Sequence, residues 1–190
     1  AAAAPHLTPV TLELGGKNSI VVLDDADIDS AAAAGAMSSF GYQGQACVAA
    51  GRHVVHADLV EPYTEALIGQ AKAMRVGDPR EAGVALGPVI SERQAARIER
   101  IVEESVAAGA QVLAGGHRDG LFYPPTVLAD IERTMPAFTE EIFGPVAPIV
   151  SFHTDTEAVE IANDTGYGLT AAVHSGSLQR AATIAEQLRT

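Results

Sequence analysis

The 190-residue chain holds a single cysteine, Cys47, within residues 40–52, FGYQGQACVAAGR. Ala46, Val48, Ala49 and Ala50 flank the thiol, and Gly44 and Gly51 lie close by, so a substrate has room to approach the sulfur. That is how a nucleophile is set. The commoner role of an unpaired cysteine is that of a small buried hydrophobe, and Cys47 alone does not choose between the two. A second stretch bears on the choice. Residues 12–17, LELGGK, place a lone carboxylate, Glu13, at the end of an apolar run and just before a glycine pair. A glutamate there is expected in a half-buried position, suited to taking a proton near neutral pH. A thiol and a base together make a covalent mechanism.

With residues 140–146, EEIFGPV, these stretches resemble three motifs of the aldehyde dehydrogenase superfamily, in the family's order. They match the ELGGK of the general-base glutamate, the GQxC of the nucleophilic cysteine, and the EEIFGPV that touches the nicotinamide half of the cofactor. The similarity continues through VGDPREAGVALGPVI (76–90), FYPPTVL (122–128) and NDTGYGLTAAV (163–173), and so covers nearly the whole chain. The resemblance implies that Cys47 adds to an aldehyde carbonyl, with its own backbone N–H as one donor to the oxyanion. A hydride then passes to NAD or NADP, leaving a thioester, and Glu13 activates the water that releases a carboxylic acid. It implies further that Glu141 accepts hydrogen bonds from the nicotinamide ribose and that Phe143 packs against the same part of the cofactor. Gln94 and Arg97 are secondary candidates for the ribose, with plain surface residues as the alternative. Small residues at the thiol, Gly41, Ala46 and Val48, beside Phe40 and Tyr42, leave room for a flat, bulky aldehyde, and residues 23–52, LDDADIDSAAAAGAMSSFGYQGQACVAAGR, resemble the benzaldehyde and vanillin dehydrogenase branch more than the betaine or retinal branches.

The sequence departs from the family in one respect. Full enzymes carry an N-terminal nucleotide-binding domain, and neither its contacts nor a G-x-G-x-x-G or P-loop motif is found here. Residues 1–190 are therefore expected to be the catalytic domain, truncated at both ends, inactive by itself and drawn from a homo-oligomeric parent. Two other readings stay open: a cysteine hydrolase acting on activated esters, and a catalytically silent packing module.

Composition narrows the partners. Twelve basic against twenty-four acidic side chains give a formal net charge of −12, which argues against nucleic acid or an anionic membrane. One cysteine excludes an internal disulfide and a multi-cysteine zinc site. No metal is expected, and His53 and His56 read as ordinary strand residues. The opening residues lack a secretory pattern and no uninterrupted apolar run reaches about 18 residues, so the cytoplasm is the expected location.

These groups need elements to hold them. Residues 10–14 read as a short strand ending at Glu13, and 19–23, SIVVL, as a strand buried on both faces. The four alanines at the start read as the end of a helix. Acidic residues at 24–29 precede an alanine-rich helix over 28–40, which leads to Cys47 and a strand at 52–56. A helix follows from 62 to about 74, and a Ser91-x-x-Gln94 capping box opens an amphipathic one that ends at Gly109. Short strands are expected at 111–113 and 126–128, a shaped loop at 140–145, and a strand at 147–152. Thr154-x-x-Glu157 opens another helix, before a strand at 169–174 and a last helix at 177–188. Such alternation predicts an α/β fold with an open, mainly parallel sheet, right-handed crossovers and helices on both faces; the resemblance makes it Rossmann-like.

Overall fold

In the computed structural model, which describes residues 2–190, the strands are β1 (Asn18–Val22), β2 (Ala50–His56), β3 (Gln111–Ala114), β4 (Thr126–Ala129), β5 (Val146–Phe152) and β6 (Ala171–His174). They form one sheet in the order β3-β4-β5-β2-β1-β6. Every pairing is parallel except β3 with β4, so the antiparallel strand lies at an edge. The helices are α1 (Ile28–Phe40), α2 (Val60–Ala73), α3 (Glu92–Ala107), α4 (Pro136–Thr139), α5 (Asp155–Asn163) and α6 (Leu178–Ala185).

β1 and β5 are mostly apolar, and β2 has Val54–Val55 as its apolar centre, because both faces of these strands are covered. On one face Ile20, Val22, Val55, Ala147 and Ile149 pack with Ala31, Ala32 and Ala36 of α1 and Leu67 of α2. On the other, Val21, Val54, Val146 and Val150 pack with Ile98 and Ile101 of α3, Phe138 of α4, Ile161 of α5 and Ile184 of α6. Adjacent strand residues thus go to opposite cores, as the two-residue period of a strand demands. Side chains fix where helices begin: Asp27, Ser91, Thr154 and Ser177 each accept a bond from the backbone N–H three residues on. Gly35 brings α1 close to α2, since a Cβ there would overlap the Tyr63 hydroxyl.

One polar group is set inside the first core. His53 of β2 is fully buried, with its Nε2 2.7 Å from Ser39 Oγ and its Nδ1 2.6 Å from the Tyr63 hydroxyl. Ser39 Oγ donates its one proton to the Ala50 carbonyl at 2.8 Å. The ring therefore donates from Nε2 and accepts from Tyr63 at Nδ1. Burial pushes the imidazole pKa down to about 3, far below the ~6.5 of an unfolded histidine. The unfolded chain takes up this proton first, so His53 favours the folded state fully above about pH 6.5 and loses that contribution as pH falls. The expected slope is about 1.4 kcal/mol per pH unit. Urea midpoints from pH 7 to 5 should drop more steeply for the natural chain than for His53→Gln; parallel curves would show that the ring is not held neutral.

The expected strand at 10–14 is absent. Residues 8–17 are irregular, and Val10, Leu12 and Leu14 are 60%, 70% and 67% exposed. An alternating pattern makes a strand only beside a neighbour, and no strand of this sheet runs alongside these residues. The opening turn is 3-10 at Ala4–His6, not the end of an α-helix. β6 and α6 are shorter than the sequence suggests. No helix among the described residues is long and apolar enough to cross a membrane.

Candidate active site

The thiol turn is built by backbone conformation. Tyr42, Gln43 and Gly44 follow one another in the left-handed region, at φ 56°, 56° and 63°, which coils the chain just after α1. At Gly44 only glycine fits, because a Cβ would run into the carbonyls of Gly144 and Ser39. Ala49 N then donates to Ala46 O at 3.0 Å and closes the turn that carries Cys47, whose side chain is exposed.

Asn18, the first residue of β1, holds this turn from beneath. Its Nδ2 donates to the carbonyls of Cys47 and Ala49, each at 2.8 Å, and its Oδ1 accepts from Thr170 N at 3.2 Å. A side chain 5% exposed thus joins the thiol turn to the entry of β6. Such a fully bonded buried amide fixes one arrangement.

The loop at 140–145 is set by α3. Gln94 Nε2 donates to the carbonyls of Ile142 (3.0 Å) and Phe143 (2.8 Å), and Arg97 Nη2 donates to the Glu141 carbonyl at 2.9 Å. Only half of the expected capping box forms, since Ser91 caps the helix while the Gln94 side chain reaches across to this loop. Phe143 is held at φ 54°, an unfavourable conformation for an aromatic residue that persists only where its surroundings dictate it. The Glu141 carboxylate turns back to accept from Gly16 N at 3.0 Å. Gly15 lies so close to that carboxylate that any side chain there would overlap it. The glycines of all three motifs are therefore contact points between them.

A cleft of about 450 Å³ lies where the three meet, lined by Glu13, Cys47, Glu141 and Phe143, with Gln94 and Arg97 completing its wall. All four candidate residues thus share one surface. Glu13 differs from expectation in being exposed on irregular chain, not half-buried at a strand end, because the strand that was to shelter it does not form. His53 and His56 serve packing: the first in the network above, the second edge-on to Phe152 at 5.3 Å. Among the described residues no three His, Cys, Asp or Glu side chains converge as metal ligands.

Sequence reasoning missed Asn18 and Arg52, buried near the starts of β1 and β2, and Lys17, buried just before β1. For Asn18 and Arg52 the signal was available, because polar side chains in a strand covered on both faces nearly always have partners inside.

The class that this fold and its motifs define is plain: the chain belongs to the aldehyde dehydrogenase family, whose sequence profile matches residues 1–190. It is 47% identical over 184 residues to the benzaldehyde dehydrogenase (NAD(+)) of Pseudomonas putida, covering 97% of this chain and 38% of that one. It is 42% identical over 188 residues to the vanillin dehydrogenase of an Amycolatopsis species, covering 99% of this chain and 39% of that one. Among solved structures, betaine aldehyde dehydrogenase of Staphylococcus aureus in complex with NAD+ superposes with a TM-score of 0.92 at 36% identity, over 98% of this chain and 38% of that chain. An NADP-dependent enzyme of E. coli gives 0.93 at 35% identity, over 98% of this chain and 39% of that one. The chain thus spans about two fifths of the length of these relatives.

Proposed function

We propose that residues 1–190 are the catalytic part of a longer, cytoplasmic enzyme that oxidises an aldehyde, aromatic by class, to a carboxylic acid with NAD or NADP. The observation that carries this reading is the single cleft on which Cys47, Glu13, Glu141 and Phe143 all lie. The match to about two fifths of each relative supports the longer enzyme, and with it little turnover by the 190-residue chain alone. One exposed thiol in a chain without a disulfide partner supports a reducing compartment.

The cleft suits the nicotinamide half of the cofactor. Glu141 has one carboxylate oxygen on Gly16 N and a second with no protein donor among the described residues, fit to accept from ribose hydroxyls. Phe143 offers a half-exposed ring beside it for a flat group. The chemistry that NAD or NADP supplies when bound there is hydride acceptance.

The chain's own residues do the rest. Cys47 Sγ adds to the aldehyde carbon, and the carbonyl electron pair moves to oxygen, where the Cys47 backbone N–H is one donor. Once the carbon is at the oxidation level of a thioester, Glu13 takes a proton from water, the hydroxide adds, and the C–S bond breaks to give acid and thiolate. An exposed carboxylate on an irregular segment can exchange that proton with solvent. Of the aromatic residues expected near the thiol, Phe40 is instead buried in the core and Tyr42 is exposed, so the aromatic class rests on the relatives named for benzaldehyde and vanillin.

Acid-quenching the longer enzyme during turnover of benzaldehyde with NAD+ and mapping its peptides by mass spectrometry tests this. A benzoyl group on Cys47 is expected. Steady turnover with Cys47 never acylated would discard the reading.

A further inference from the structure

Three consecutive residues, Gly16, Lys17 and Asn18, lead into β1, and two of them grip the site: Gly16 N holds the Glu141 carboxylate, and Asn18 holds the thiol turn. Lys17 lies between them. It is 2% exposed, and its Nζ has no hydrogen-bond partner among the described residues. Its stem runs along Gly51, where a Cβ would come within 3.0 Å of Lys17 Cδ and 3.3 Å of Nζ. The side chain lines a small, partly open cavity of about 20 Å³, walled by Ala46 and Ala49 from the thiol turn and by Glu141 and Phe143 from the loop opposite.

A buried amine with no partner is exceptional, since polar groups inside proteins nearly always find one. A cavity of this size exceeds the roughly 10–15 Å³ that one water needs, and internal waters settle where two to four polar groups meet. Lys17 supplies a donor there and the Glu141 carboxylate an acceptor; no ion pair joins the two directly. Desolvation holds the amine well below the ordinary lysine pKa, with the Arg52 charge acting in the same direction and Glu141 opposing it.

We propose that Lys17 is a positioning residue for this cleft: its amine holds one water in the cavity, and that water ties Lys17 to the Glu141 carboxylate behind the thiol turn. Gly16, Lys17 and Asn18 then act as a three-residue staple, each gripping the site by a different group. This rests on the cofactor reading only in what it predicts for NAD+; the water bridge itself does not.

A crystal structure of the longer enzyme without cofactor, at a resolution that shows waters, tests the bridge directly. Density for one water within about 3.2 Å of both Lys17 Nζ and a Glu141 carboxylate oxygen is expected. A cavity without density, or Nζ turned to a protein acceptor, overturns the proposal. In kinetics, Lys17→Met should raise the KM for NAD+ about tenfold with kcat changed less than about twofold, as loss of one positioned binding group does. Added to Glu141→Gln it should have no further effect on that KM. Multiplying effects of the two substitutions would refute the link. If Glu141→Gln itself leaves the NAD+ KM unchanged, the cofactor reading fails, and the crystallographic result alone decides the bridge.

Discussion

Cys47→Ser is expected to lower kcat for aldehyde oxidation in the longer enzyme by about 10³-fold or more, with no loss of folding stability. A serine hydroxyl remains protonated at neutral pH and is a far weaker nucleophile than a thiolate, and removal of a nucleophile commonly costs several orders of magnitude. The turn itself does not depend on sulfur. Asn18 bonds the carbonyl of Cys47, which serine retains, and the side chain is exposed. Thermal midpoints should therefore agree, with stability changed by no more than about 0.5 kcal/mol. Paired measurement of kcat and melting separates the two effects. A serine variant with more than a tenth of the natural kcat would remove Cys47 from the chemistry.

Arg52→Met should have the opposite signature, a large loss of stability from a residue that lies outside the cleft. Arg52 is 1% exposed, and burial pushes its guanidinium pKa down only to about 10, so it stays charged at neutral pH. Nη1 donates to the carbonyls of Ile161 (2.9 Å) and Asp164 (3.1 Å), and Nη2 to those of Lys17 (2.9 Å) and Ala162 (2.8 Å). Three of these belong to the end of α5, where helical donors run out, though the Ile161 carbonyl also accepts from Asp164 N at 3.2 Å, and the fourth to the residue before β1. The guanidinium also lies 5.0 Å from the centre of the Phe138 ring, close enough for cation–π attraction. Methionine fills similar volume but takes the guanidinium from four carbonyls, of which Ile161 O keeps its backbone bond from Asp164 N, at an expected cost of about 3–5 kcal/mol. That is a large part of the ~5–15 kcal/mol that holds a domain folded. Arg52→Lys should fall between, because an ammonium has three donors and no fork. Urea denaturation of the three proteins gives the order; a methionine variant within about 1 kcal/mol of the natural chain would show that these carbonyls find other donors.

The elements that local chemistry dictates were legible in the sequence. Helix α1 follows Asp27 as a run of small residues, the capping serines and threonine sit where helices begin, and the apolar runs of β1 and β5 and the Val54–Val55 centre of β2 follow from burial on both faces. The candidate site was legible through glycines and a lone thiol, which stand out against any background composition. What stayed hidden depends on neighbours far along the chain. Residues 10–14 carry a strand pattern without an adjacent strand, and the second role of Gln94 requires knowing that residues 142 and 143 pass beside α3. The antiparallel placement of β3 is likewise a property of the sheet, since nothing within four residues of sequence fixes the direction of pairing.

The order of strands also governs when the cleft can exist. β5 enters between β2 and β4, and β6 closes against β1, so sheet neighbours come from distant parts of the chain. During synthesis the thiol turn can form once β1 and β2 have emerged, because Asn18 and Cys47 are separated by only 29 positions. Glu141 lies 125 positions beyond the amide it bonds, Gly16 N. On the ribosome the turn that carries Cys47 can thus form long before Glu141 is translated, and the cleft is complete only after residue 141 has joined it.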